Sequence, residues 1–150
     1  MEVGEALRRR RTCRSFLDTP VADDLLDEVL GAAASAPRAG NTWSLGLLVL
    51  RGADRDAYWD VTLAADDTRE RFPWPGLLLA PVLVVPYVEP AAYLERYSSP
   101  DKAPTGLGVD FDAWSVPYWW VDGGAAVMAV LTASTAVGPG SALFGQFERE

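Results

Sequence analysis

Hydrophobic and polar residues follow two different periods along the chain. From Asp23 or Asp24 to Pro37, apolar residues recur at helical spacing with acidic residues between them, which predicts an amphipathic helix that Pro37 ends. Residues 45–50 and 81–85 are short, uninterrupted apolar runs, typical of buried strands. The same pattern predicts further helices over residues 2–11, 54–63 and 122–137, and a loop over residues 98–117.

The predicted order is helix, helix, strand, helix, strand and helix, which is typical of an α+β fold. Two strands are too few for a complete sheet, and no further strand follows at residues 147–150. We therefore expect a single domain over residues 1–150 that is incomplete at its C-terminus.

The last predicted helix, residues 122–137, has almost no polar face. We expect it to be buried on every side, either as the central core element or at an oligomer interface. Gly138-Pro139-Gly140 follows it and predicts a helix C-cap rather than a nucleotide-binding loop, because such loops follow a strand and open a helix. Pro139 and several glycines interrupt the charge-poor stretch 123–147, so we expect no membrane-spanning segment and a cytoplasmic protein.

Composition excludes several kinds of chemistry. The 150 residues contain no histidine and one cysteine, Cys13, which excludes Ser-His-Asp and Cys-His nucleophile systems, an intrachain disulfide and nearly every zinc site. The net charge of −8, with Lys102 as the single lysine, argues against a nucleic-acid partner. Adjacent acidic residues, such as Asp66 and Asp67, are interpreted as solvated rather than metal-binding. Demanding chemistry therefore has to come from carboxylates, hydroxyls or a bound cofactor.

Two segments are candidates for ligand binding. Arg10, Thr12 and Arg14 alternate, so an extended segment would turn all three toward one anion such as a phosphate; a solvated basic helix end is the other interpretation. In the loop 37–41, Gly40 permits a positive φ and Asn41 offers a donor and an acceptor to a heterocycle edge, although an ordinary turn has the same composition. Trp119-Trp120 could stack on a planar ligand or pack in a core.

Taken in order, three motifs resemble the FMN-dependent nitroreductase family. The first is Arg10-Arg11-Thr12-Cys13-Arg14, and the second is Ala36-Pro37-Arg38-Ala39-Gly40-Asn41. The third combines the run 80–85, the helix from Asp122, Gly138-Pro139-Gly140-Ser141 and Phe144-Gly145. The resemblance implies a nitroreductase-like α+β fold with a central, mostly antiparallel sheet flanked by helices.

The resemblance also implies residue roles. It places Arg10, Thr12 and Arg14 on the FMN phosphate, ribityl chain and pyrimidine edge, and Asn41 on the isoalloxazine ring. Pro37 and Arg38 belong to the same cofactor-binding loop, and the backbone N–H of Gly145 falls near the flavin N5. The sequence departs from the family pattern at Arg38, Trp43 and Pro139, where serine, glutamine and leucine are usual, and family members run some tens of residues further.

The expected function follows from this resemblance. We expect an FMN-dependent oxidoreductase that passes reducing equivalents from NAD(P)H to a small organic acceptor, such as a nitroaromatic or a quinone, by a ping-pong mechanism. The flavin would carry the chemistry, so no side chain is assigned as catalytic and no metal is expected. A homodimer that holds FMN between its subunits is implied as well. The alternative is a truncated, non-catalytic flavin-binding or structural pseudoenzyme, which the missing strand and Trp43 favour.

Overall fold

The computed structural model describes residues 1–64 and 69–145. It contains seven helices and strands in these residues, in the order α1 (Val3–Arg9), α2 (Asp23–Gly31), β1 (Leu45–Arg51), α3 (Ala53–Thr62), β2 (Val82–Val88), α4 (Ala91–Tyr97) and α5 (Tyr118–Val137). Short 3₁₀ turns occupy Ala32–Ser35, Ala39–Asn41, Pro75–Leu79 and Ala103–Thr105. This mixture of helices and strands confirms the α+β class.

β1 and β2 pair with each other in a two-stranded sheet. The amide of Glu89 donates to the carbonyl of Ser44 at 2.9 Å, and Gly46 lies against the ring of Tyr87. Residue numbers therefore rise along one strand as they fall along the other, and the pairing is antiparallel, as expected. A β-carbon on Gly46 would lie 2.1 Å from the Tyr87 ring, so a larger residue there would displace that ring.

The helix boundaries differ from the sequence predictions at several points. α1 ends at Arg9, so Arg10 is already extended, with φ −54° and ψ 127°. The second helix tightens into a 3₁₀ turn over Ala32–Ser35 before Pro37. α4 was not predicted. α5 begins four residues earlier than predicted, at Tyr118, because the carbonyl of Pro117 accepts the amide of Trp120 at 3.0 Å and starts the first turn.

In the single chain the last helix is not buried on every side, and its burial at an oligomer interface stays a prediction. Within α5 the buried residues are Trp119, Ala126 and Ser134, whereas Tyr118, Trp120, Val121 and Met128 are exposed. Gly123 and Gly124 do not interrupt the helix. Its 20 residues make it long and apolar enough to cross a membrane by length and composition alone. Core helices of soluble proteins also meet this criterion. The helix therefore presents an apolar surface in the single chain.

The chain groups into two compact units. Unit 1 comprises Met1–Val29, Val49–Val85 and Leu131–Glu150. Its core is formed by Trp59, Leu63, Ala80 and Leu83, and the ring of Phe144 stacks on Trp59 with a centroid separation of 5.6 Å. Burying aromatic rings of this size provides most of the apolar contact in such a small core.

Unit 2 comprises Leu30–Leu48 and Pro86–Val130 and has two buried clusters. An aromatic cluster contains Tyr93, Tyr97, Trp114 and Trp119. A small-residue cluster contains Ala33, Ala36 and Ala126, with Val130 packed against it. Trp119 therefore packs in a core, whereas its neighbour Trp120 is 66% exposed.

Candidate functional site

The first candidate segment lies in unit 1 and is extended, as its alternating pattern requires. Thr12 forms a parallel bridge with Ser141, and the amide of Cys13 donates to the Ser141 carbonyl at 2.9 Å. Farther along, the amide of Phe16 donates to the carbonyl of Gly76 at 3.0 Å. These backbone bonds at both ends fix residues 12–16 without using a side chain of the motif.

Successive side chains of this segment point to opposite sides of the chain. Cys13 packs toward Gly140, where an added β-carbon would lie 3.2 Å from its sulfur. Thr12 and Arg14 are exposed and Arg10 is half-buried. Since successive residues of an extended chain point to opposite sides, Thr12 and Arg14 face away from the Gly140 side.

The side chains of Arg10 and Arg14 have no charged partner among residues 1–64 and 69–145. Arg9 pairs with Glu5 at 3.1 Å, and Arg11 donates to the carbonyls of Arg8 and Arg10. By contrast, Arg10 and Arg14 form no side-chain hydrogen bond or ion pair within residues 1–64 and 69–145, although the Arg14 guanidinium lies 5.2 Å from the ring centroid of Trp74. Unpaired guanidinium groups beside a free hydroxyl are suited to binding an anion.

The third motif also lies in unit 1. Gly138 has φ 128° and donates its amide to the Ser134 carbonyl at 2.9 Å, which confirms the predicted helix C-cap. The chain then passes Ser141, the backbone partner of Thr12, and reaches Gly145, which is exposed. Residues 146–150 lie outside the described part of the chain.

The loop 38–42 lies in unit 2 and has an uncommon backbone. Gly40 has φ 62° and Asn41 has φ 56°, and Asn41 is the only non-glycine residue with a positive φ in the part of the chain that the structure describes. Two amides close the turn: Asn41 donates to Arg38 at 3.0 Å and Thr42 donates to Ala39 at 3.1 Å. Left-handed backbone at a non-glycine residue is often stored at functional sites, and the Asn41 side chain is exposed.

Three neighbouring residues hold this loop. Oδ2 of Asp122, on α5, accepts the amide of Ala39 at 2.7 Å. Nε of Arg96, on α4, donates to the carbonyl of Gly40 at 2.8 Å. Tyr97 packs against Gly40 so closely that a β-carbon there would lie 2.7 Å from its ring. The loop is therefore restrained at Ala39 and Gly40, immediately before Asn41.

A buried hydroxyl completes the support of Asp122. Tyr93 is fully buried and donates its hydroxyl to Oδ2 of Asp122 at 2.8 Å. Burial raises the pKa of Tyr93 to about 12, and a hydrogen bond with Ser44 partly opposes that rise. The Tyr93 hydroxyl consequently keeps its proton, and remains a donor to Asp122, at neutral pH.

Arg38 lies beside the same group of residues. Its guanidinium carbon is 3.6 Å from the ring centroid of Trp43, which is 70% exposed. Its Nε is buried without a hydrogen-bond partner among the described residues. Arg38, Ser44, Tyr93 and Asp122 contribute to the wall of a cavity of about 10 Å³, which is room for about one water molecule.

Sequence reasoning missed Asp122, Tyr93 and Arg96 as site residues. Tyr93 and Arg96 lie on α4, which the hydrophobic pattern did not predict, and Asp122 was used only as the start of a helix. The sequence gives one indication that Asp122 has a special role: it is the sole charged residue within α5.

The acidic pairs form no metal centre in the described residues. Asp23 pairs with Arg51, and Asp24 accepts the amide of Leu25. No group of three or more metal-ligating side chains occurs in residues 1–64 and 69–145. Asp66 and Asp67 lie outside the described residues.

Comparison with known proteins identifies relatives of this fold. Residues 7–150 match the model of the Nitroreductase family. A nitroreductase family protein from Clostridium novyi superposes with a TM-score of 0.68 and 16% identity, over 99% of this chain and 72% of that one. No curated protein matches the chain.

Two further solved structures contain ligands. A nitroreductase described as putative, from Desulfovibrio desulfuricans in complex with FMN, superposes with a TM-score of 0.63 and 23% identity, over 97% of this chain and 69% of that one. The nitroreductase CinD from Lactococcus lactis in complex with 4-nitrophenol superposes with a TM-score of 0.66 and 18% identity, over 91% of this chain and 70% of that one. This chain therefore spans about seven tenths of the length of these three structures.

Proposed function

This chain belongs to the nitroreductase family, and from that premise we propose that it is an oxidoreductase that binds FMN. The observation that carries the proposal is the extended segment of unit 1, where Arg10 and Arg14 have no charged partner among the residues that the structure describes and Thr12 is exposed. These donors fit a phosphate and the adjoining polar chain of FMN. When bound, FMN supplies the redox chemistry, because its ring accepts and returns a hydride.

The residues of the chain bind and orient the cofactor in this proposal. Arg10 holds the phosphate and Thr12 the ribityl chain. Arg14 lies at the pyrimidine edge, where it stabilises the negative charge that develops on reduction. The backbone N–H of Gly145 would contact the flavin N5. No side chain of this chain transfers the hydride.

The loop that carries Asn41 is proposed to contact the ring. Asn41 has an exposed amide on a backbone that its neighbours restrain, so it can donate and accept along a heterocycle edge with little loss of conformational entropy. Pro37 and Arg38 begin the same loop. Asn41 is thus the proposed ring contact, and its loop is the proposed cofactor-binding loop.

The electron donor is proposed to be NAD(P)H, and the acceptor a small organic molecule such as a nitroaromatic or a quinone. Both would use the same open face of the ring in turn, which predicts ping-pong kinetics. A cytoplasmic homodimer that holds FMN between its subunits completes the proposal. No contribution from a metal or a nucleic acid is included.

Absorption spectroscopy tests the proposal directly. The purified protein is titrated with FMN and, as a matched control, with riboflavin, which lacks the phosphate. We expect FMN to bind the more tightly, and anaerobic NADH or NADPH to bleach the bound flavin until a nitroaromatic restores its colour. FMN that binds but is not bleached by either nucleotide would favour a non-catalytic flavin-binding protein. A protein that binds neither flavin would overturn the proposed function.

A further inference from the structure

The loop that carries Asn41 is restrained by polar contacts from two helices. Asp122 of α5 holds the Ala39 amide at 2.7 Å, and Arg96 of α4 holds the Gly40 carbonyl at 2.8 Å. The left-handed pair Gly40 and Asn41 begins where these contacts end. Asparagine adopts left-handed backbone more readily than other non-glycine residues, and the contacts at Ala39 and Gly40 restrain the backbone that leads into it.

We propose that Asp122 and Arg96 are positioning residues for Asn41, which they hold in place to meet the ring of bound FMN. This inference rests on the proposed function, since it takes FMN as the ligand of Asn41. Neither residue has to touch the cofactor. Both act through the backbone of the loop.

The surroundings of Asp122 indicate that its carboxylate orients the loop. It is the only charged residue among the 20 residues of α5, and packing an apolar helix does not need a carboxylate. A single oxygen, Oδ2, accepts both the Ala39 amide and the Tyr93 hydroxyl. The hydroxyl of the buried Tyr93 orients the carboxylate. The carboxylate in that orientation holds the amide of the loop.

The side chain of Arg96 is likewise oriented by a further polar partner. Its two terminal nitrogens each donate to one oxygen of Asp101 at 2.8 Å, which leaves Nε to donate to Gly40. A bidentate pair of this kind sets the orientation of the guanidinium plane. The loop is thus held by two charged side chains, each oriented by a further polar partner.

A double-mutant cycle tests the positioning role. The FMN dissociation constant is measured by flavin fluorescence for Asp122→Leu, Asn41→Gly and the double variant. Asn41→Gly removes the amide without forcing a larger side chain into left-handed backbone. We expect Asp122→Leu alone to weaken FMN binding about tenfold. In the Asn41→Gly background it should change the affinity by less than about twofold, because no ring contact is left to position.

Two further measurements separate positioning from general stability. Hydrogen exchange of peptides covering residues 37–43 should become faster in Asp122→Leu even without flavin, because the Ala39 amide loses its acceptor. Asp122→Asn, which keeps an acceptor oxygen, should recover most of the affinity. Asp112→Leu is the matched control. It removes an exposed carboxylate of unit 2 and should change neither the FMN affinity nor the hydrogen exchange of residues 37–43.

Each outcome decides between the claims. If the wild-type protein fails to bind FMN, the proposed function and this inference both fall. If it binds FMN but the losses from Asp122→Leu and Asn41→Gly simply add, the positioning role falls and the proposed function stands. If Asp122→Leu does not fold, Arg96→Met is put through the same cycle, and additive losses there overturn the inference equally.

Discussion

The guanidinium of Arg38 lies 3.6 Å from the ring centroid of Trp43, in a cation–π arrangement. These are two of the positions at which the sequence departs from the family motif. Considered separately, the tryptophan at position 43 looks like a lost polar contact. In the structure they are partners, so the two replacements together create one contact within the proposed cofactor-binding loop.

This pairing predicts a measurable coupling. We expect Arg38→Ala and Trp43→Ala to show an interaction of about 0.5–1 kcal/mol in the free energy of unfolding, the range for an exposed cation–π pair. Urea unfolding of both single variants and the double variant measures it. The pair Arg14 and Trp74 is the matched control and should couple more weakly, because its separation is 5.2 Å. Losses that add within error at positions 38 and 43 would show that the stacking contributes nothing.

Local patterns in the sequence predicted the local structure. The two strands, α3 and the Gly138 cap follow from residues that are neighbours in the chain, and the structure confirms them. For the segment around Thr12 the sequence left an extended segment and a basic helix end both open, and the structure shows the extended one. The FMN contacts assigned to Arg10, Thr12, Arg14, Asn41 and Gly145 stay predictions.

Features that depend on distant residues could not be predicted. α4 was not predicted, and its Tyr93 is buried against Trp114 and Trp119, which lie far along the chain. The contact between Asp122 and Ala39 joins residues that are 83 positions apart. A single sequence gives no indication of such pairs, so the support of the loop became visible only in the structure.

Arg10→Ala should weaken FMN binding more than it weakens the fold. A charge-assisted contact to the phosphate contributes roughly 1.5–3 kcal/mol, so the affinity should fall about 10- to 150-fold. FMN titration and thermal unfolding measure the two effects. Arg9→Ala is the matched control, because Arg9 ends the same helix but already pairs with Glu5. Equal FMN affinity in the folded Arg10→Ala protein would remove Arg10 from the site.

The pair of Arg96 with Asp101 should make stability depend on pH in the acid range. Hydrogen bonds from Arg96 hold the pKa of Asp101 at about 2, below the usual 3.8. A lowered pKa in the folded state contributes stability that is present above about pH 4 and is lost as the pH falls through about 2. The melting temperature of Asp101→Asn should therefore lie below that of the wild type at pH 6 and approach it near pH 2.

Asp112→Asn serves as the control for this pH series. Asp112 is an exposed carboxylate of unit 2 and makes no ion pair in the described part of the chain. Its melting temperature should follow that of the wild type throughout. A constant offset between Asp101→Asn and the wild type from pH 6 to 2 would contradict the linkage, since the variant has lost the group that titrates.

The exposed apolar residues of α5 predict self-association. Trp120 is 66% exposed, Val121 52% and Tyr118 44%, and exposed aromatic side chains of this kind often form the centre of protein interfaces. A second copy of the chain is the proposed cover, in line with the homodimer. Light scattering at micromolar concentration should give twice the mass of one chain.

The variant that tests this dimer has to leave the subunit itself intact. Val130→Asp does not, because Val130 packs against the buried cluster of Ala33, Ala36 and Ala126 and a charge there would disrupt unit 2. Trp120→Glu adds a charge at an exposed position in the first turn of the helix, where a carboxylate is favourable to the helix itself. It should yield a folded monomer with weakened FMN binding, whereas Val61→Glu, at a position on α3 that is 78% exposed, should remain a dimer. A monomeric wild-type protein that binds FMN fully would contradict the shared site, because its cofactor affinity would then owe nothing to a second subunit.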